Sequence, residues 1–236
     1  MLALVGTALF LGFLALGTWQ VERRAWKLAL IERVDQRVHA APVALPPASR
    51  WPEVNAAEHE YLPVALQGRW LPDKTVLTQA ATELGAGFWV ITPLQQADGT
   101  QVLVNRGFVP QEQRAQWLAA VPPEGPSAVQ GLLRMSEPAG GFLRANDPAQ
   151  QRWHSRDVAA IAQALQLPRA APFFVDAGLP GAKLGAGWPR AGLTVVRFRN
   201  THLVYALTWY GLALMVVAAF WTVARYERRL SRIAHP

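Results

Sequence analysis

The sequence predicts a membrane α plus α+β protein: two transmembrane helices bracketing a mostly antiparallel β domain, a small sheet or barrel with two short helices. Three observations predict it. Met1 to Trp19 carries no charged side chain, and neither does Leu203 to Ala224. A hydrocarbon core of roughly 30 Å needs about 20 apolar residues in a helix, so each stretch is long enough to span. Between them lie short β-rich runs punctuated by glycine and proline, with few helical patterns, as an antiparallel sheet requires.

Composition narrows the chemistry. Of 236 residues, 51% are hydrophobic and 17% charged, which excludes a disordered chain. There is no cysteine, so disulfides, thiolate catalysis, cysteine-ligated zinc, iron–sulfur clusters and covalent c-type haem are excluded. The net charge of +7 invites a nucleic-acid reading, but the cations gather beside the apolar stretches, and lipid headgroups account for the C-terminal cluster. No nucleic-acid partner is expected.

The first stretch could be a signal peptide with Ala15 and Gly17 at its cleavage site. It lacks a basic n-region, however, and its pattern continues through Trp26 and Ile31, which favours a retained anchor. After the second stretch come Arg225, Arg228, Arg229 and Arg232, placing that end in the cytoplasm by the positive-inside rule. Two spans then put both termini in the cytoplasm and the intervening residues outside. The expected organisation is span one and its outward extension over 1–38, an extracytoplasmic β-rich domain over 39–199, span two over 200–225 and a basic tail over 226–236. Arg23, Arg24 and Lys27 fall on the outer side and need another explanation.

Within the domain, a proline-rich linker from Ala41 to Pro47 leads to strands over Tyr61–Leu71, Thr75–Thr78, Gly87–Leu94, Gln101–Val109, Ala128–Met135, Phe173–Asp176 and Leu193–Phe198. Asp98-Gly99 between two of them suits a type I′ hairpin turn, and Gly85-Ala86-Gly87 reads as a turn. Helices are expected over Gln111–Ala120 and over Asp157–Leu167, the latter capped by Ser155 or Asp157 and stopped by Pro168. A parallel nucleotide-binding sheet would need helical crossovers that are missing.

Catalytic signatures are absent: no G-x-S-x-G, H-E-x-x-H, P-loop or G-x-G-x-x-G after a strand. No nucleophile–base pair stands out, so the chain reads as a non-enzyme. Glu58-His59-Glu60 reads as an exposed polar turn. The exception is His202, opening the second span after Asn200 or Thr201 as cap. At about 100° per residue, His202, Tyr205, Ala206, Trp209 and Ala213 share a stripe. A neutral imidazole beside aromatics and small residues suits an axial ligand for a flat macrocycle. Arg23, Arg24 and Lys27, with Arg197 and Arg199, would then form a cationic collar for its carboxylates. The alternative is a structural histidine in an aromatic belt, with arginines reaching lipid phosphates.

These strings resemble the Surfeit locus protein 1 family, the cytochrome c oxidase assembly factors. The resemblance rests on Leu16-Gly17-Thr18-Trp19-Gln20 with Arg23, Trp26 and Lys27; on Gly87 to Leu94; on Val104-Asn105-Arg106-Gly107-Phe108-Val109-Pro110; and on Asn200, His202-Leu203, Tyr205-Ala206 and Thr208-Trp209. It implies a two-pass bacterial inner-membrane protein with a periplasmic domain, receiving haem a as transient cargo from haem a synthase and aiding its insertion into oxidase subunit I. It implies His202 as the ligand of the haem iron. The expected cofactor-binding set is His202, Tyr205, Trp209, Trp19, Arg23, Arg24, Lys27 and Arg199, in contact with membrane lipid. The competing expectation is a haem-independent scaffold for nascent subunit I, with Arg106 as its partner-binding residue. The resemblance also implies a basic segment before the first span, which would place the true start upstream of Met1.

Overall fold

The computed structural model describes residues 2–118, 125–138, 144–181, 187–194, 196 and 200–234. The chain divides into two compact units, Met1–Arg33 with Val196–Pro236, and Val34–Val195.

The first unit is a pair of helices, α1 (Leu2–Val38, its last turn belonging to the second unit) and α5 (His202–Ala234). Both are long and apolar enough to cross a membrane, as a two-pass protein requires. At ~1.5 Å per residue the 37 residues of α1 extend about 55 Å, well beyond the hydrocarbon they could occupy. Its charged half, from Glu22 onward, is the part left over. α5 runs on as helix through residues 226–234, the segment read as a tail. The two helices pack antiparallel along heptad-spaced positions. Gly6 lies under the Phe220 ring, Phe13 stacks on Trp209 at 5.8 Å, and Gly17 lies under the Tyr210 ring. Ala206 and Ala213 are buried in the same seam. Lipid offers no hydrophobic incentive for helices to associate, so small residues that let backbones approach, and polar bonds between them, take that role. Thr18 Oγ1 and Tyr210 Oη share such a bond at 3.2 Å.

The second unit is a seven-stranded sheet: β1 (Val43–Ala44), β2 (Pro63–Trp70), β3 (Val76–Thr82), β4 (Gly85–Gln95), β5 (Gln101–Pro110), β6 (Pro126–Met135) and β7 (Ala170–Ala177). Their order is β1-β2-β6-β7-β5-β4-β3, and an added β2–β4 pairing through Arg69↔Gln95 and Trp70↔Leu94 closes β2, β6, β7, β5 and β4 into a barrel. Side chains alternate across each strand. Val102, Val104, Phe173 and Val175 fill one cluster, while their neighbours Leu103 and Phe174 face another, covered by α4 (Val158–Ala164). Asp157 caps α4, its side chain accepting from the Ala160 amide. Two short helices, α2 (Ala56–His59) and α3 (Arg114–Leu118), complete the unit. Arg37 at the end of α1 donates to the carbonyls of Glu60 and Ala57, tying that helix end into the domain.

The sheet is mostly antiparallel, as expected, with parallel pairings only of β1 with β2 and of β5 with β7 among the described residues. Several finer expectations need correction, the first being that β5 and β7 pair in parallel at all. They can do so without a helical crossover between consecutive strands, since β6 intervenes in the chain and returns antiparallel on the far side of β7. The β4–β5 turn is not type I′. Only Gly99 has positive φ (+81°), Gly99 donates to the Gln96 carbonyl, and Asp98 keeps ordinary backbone while its carboxylate takes the Thr100 amide and hydroxyl. The Thr100 bonds hold the Asp98 carboxyl below its usual range. Gly85-Ala86-Gly87 is strand rather than turn. The reversal falls at Glu83-Leu84, and Gly87 is needed because a Cβ there would strike the Val109 carbonyl. Residues 193, 194 and 196 are not strand; positions 195, 197 and 198 of that expectation lie outside the described residues.

Candidate functional site

His202 is the first residue of α5, where the Thr201 carbonyl accepts from the Val204 and Tyr205 amides. Asn200 Oδ1 is buried without a hydrogen bond, so the cap is made by backbone alone. The imidazole is partly buried, and its Nδ1 lies 2.8 Å from Gln20 Oε1 on α1. An amide oxygen only accepts, so Nδ1 carries the proton and donates. Nε2 has no partner among the described residues and keeps its lone pair. That is the protonation pattern of an imidazole able to bind iron.

Gln20, Arg24 and Lys27 follow one another at i, i+4 and i+7 and share a face of α1, each partly buried. Arg23 is turned away, its guanidinium 4.1 Å from the Trp26 ring centroid. Trp209 is committed to its stack on Phe13. Tyr205 and Trp19 are both about half exposed, outside the buried seam, on surface that lipid would cover. The space that Ala206 and Ala213 were expected to leave for a ring is taken by α1 itself. A porphyrin ligated by His202 would therefore lie against the flank of the helix pair. Arg197 and Arg199 lie outside the described residues.

Arg106 sits at an irregularity that explains its motif. Trp89 pairs with Phe108 and Ile91 with Asn105, so Arg106 and Gly107 together oppose Val90. This is a β-bulge, which re-aims a side chain. Gly107 adopts φ +133°, presses against the Arg190–Ala191 backbone, and donates its amide to Asn105 Oδ1. Arg106 is thrown between Trp70 and Trp117, at 5.3 and 5.6 Å from their centroids, with no carboxylate partner among the described residues. Burial holds its pKa below the ordinary arginine value.

Arg134 and Arg156, by contrast, are held through all their guanidinium nitrogens. Asp176, its side chain only 3% exposed, accepts from Arg134 (2.7 Å), Arg156 (3.0 Å), Asn105 (2.7 Å) and Thr194 (2.9 Å). Glu137 bridges the two arginines, and Glu60 takes Arg134 Nε and the Met135 amide. Burial works against the Arg134 guanidinium, but Asp176 and Glu60 outweigh it and raise its pKa above the ordinary value. This network was invisible in the sequence. Its five charges are scattered, and each alone reads as solvated. Glu60, read as part of an exposed turn, is one of its anchors. A cavity of about 440 Å³ at the β3–β4 hairpin has Gln79, Gln111, Arg144 and His154 in its lining, with His154 Nδ1 2.9 Å from Gln79 Oε1. No cluster of three or more metal-ligating side chains occurs among the described residues.

The model of the SURF1 family matches residues 7–214. Human Surfeit locus protein 1 is 35% identical over 218 residues, covering 84% of this chain and 69% of that protein. The Takifugu rubripes protein of the same name is 36% identical, covering 84% and 86%. A SURF1-like protein of Monosiga brevicollis is 35% identical, covering 89% and 82%. Match length and identity agree with the two helices, the intervening β domain and the motifs at both anchors: the chain belongs to the SURF1 family, the cytochrome c oxidase assembly factors that its motifs resemble.

Proposed function

We propose that this protein binds haem a transiently at the outer membrane interface and aids its insertion into oxidase subunit I. The observation that carries the reading is the His202 imidazole, held by Gln20 through one nitrogen and without a partner at the other among the described residues. Bound haem a would supply the iron that Nε2 ligates. Arg24 and Lys27, on the same face of α1 as Gln20, are the cations best placed to meet its propionates; Tyr205 and Trp19 offer aromatic surface on the flank. Ligation from one side suits a carrier that must release its cargo. The reading also takes the β domain as periplasmic and the membrane as the bacterial inner membrane, with haem a synthase as donor, since the basic flank of α5 favours a cytoplasmic C-terminus.

Replacing His202 by Ala, purifying from a host that makes haem a, and recording the optical spectrum tests it. Haem a content is expected to fall to the level of an empty control. Unchanged content would leave the second reading, a haem-independent scaffold for nascent subunit I. Arg106 favours that one, because a half-buried guanidinium without an acceptor among the described residues can receive a carboxylate from a partner.

A further inference from the structure

We infer that Gln20 is a positioning residue that selects which nitrogen of His202 faces a ligand. The inference rests on the reading of His202 as the haem-iron ligand and adds to it a role for Gln20 in setting the tautomer. Three observations carry it. Gln20 Oε1 and His202 Nδ1 are 2.8 Å apart, bridging the two membrane helices. Two neighbouring contacts, the Phe13–Trp209 stack and the Thr18–Tyr210 bond, fix the register of the same seam, so the amide cannot slide off the ring without unpacking it. Nε2 has no competing partner among the described residues.

The chemistry follows. A neutral imidazole carries one proton on either nitrogen and binds a metal only through the bare one. With the proton held at Nδ1 by an acceptor on α1, the lone pair sits at Nε2. Donation from Nδ1–H also fixes the ring's orientation, the usual role of a partner on the far side of a ligating histidine. An amide does this without adding charge, where a carboxylate would place a net negative charge near hydrocarbon. The bond moreover makes ligation sensitive to helix packing: if α1 and α5 separate, His202 loses its orientation and its grip on the cargo weakens.

The test uses the full-length ¹⁵N-labelled chain in lipid nanodiscs, first without haem, at about pH 8, well above the ordinary histidine pKa. Two-bond ¹H–¹⁵N correlations are expected to show His202 with Nδ1 protonated and Nε2 bare. Gln20→Leu should redistribute the proton toward Nε2 and weaken haem a binding about 10- to 100-fold, the usual loss for such partners. Gln20→Glu, which keeps an acceptor at the same place, should retain the Nδ1 proton and guards against a folding defect in the leucine variant. A wild-type spectrum with the proton on Nε2 overturns the inference, as does a Gln20→Leu variant unchanged in both tautomer and affinity. Failure of the haem reading looks different: the wild-type tautomer is as expected, yet His202→Ala keeps its haem a.

Discussion

A carboxylate withdrawn from water needs cations and donors around it, and Asp176 collects four. Truncating it would leave Arg134 and Arg156 facing each other beside the Phe174 ring with Glu137 and Glu60 as their remaining counter-ions. Removing one member of a buried ionic cluster typically costs about 3–5 kcal/mol. Asp176→Ala should therefore lower the unfolding midpoint of the purified full-length protein, followed by tryptophan fluorescence, far more than Asp157→Ala, which removes only a helix cap worth about 1 kcal/mol. What the sequence reveals at this scale depends on contrast with surroundings. His202 draws attention in the sequence because an imidazole at the edge of an apolar span is anomalous. Gln20 could not, because a polar residue where a span ends is ordinary, and its partner lies on another helix. Asp176 looked like any strand-end acid, since nothing local announces that arginines from β6 and from the approach to α4 will reach it.

Strands announced themselves through alternation. All but one of the runs expected to be strand contribute to the sheet, because period-2 burial is a local property. Pairing partners did not, as the β5–β7 parallel ladder joins segments whose neighbours in sequence point elsewhere. The helix seam lies between these extremes. Its small residues are visible in the sequence, but nothing there tells whether a small residue makes room for a ligand or for another helix. Gly17 decides a test of that packing. A side chain at this position would meet the Tyr210 ring, at 2.6 Å from its nearest carbon even for a single methyl. Gly17→Leu is expected to displace Tyr210, break its bond to Thr18, and lower the thermal stability of the helix pair in detergent. Gly12→Ala, whose Cβ meets nothing within 4 Å, is the control that should not lower stability.

For the molecule as a whole, the missing cysteines make orientation directly measurable, because any introduced thiol is unique. With Glu58→Cys in α2 and Ser231→Cys beyond the apolar part of α5, a membrane-impermeant maleimide applied to intact cells with a permeable outer membrane should label the first and not the second. Labelling of the second requires lysis. The opposite pattern would invert the proposed topology. The barrel also carries a consequence for biogenesis. Its last strand to emerge, β7, is inserted between β5 and β6, in the middle of the order. Until residue 177 is available, the earlier strands remain as two separate pieces, β2 with β6 and β3 with β4 and β5, stitched only by the two residue pairs of β2 with β4. A nascent chain interrupted before Ala170 thus holds no completed barrel, and premature stop codons anywhere upstream should yield fragments destined for proteolysis rather than partly working protein.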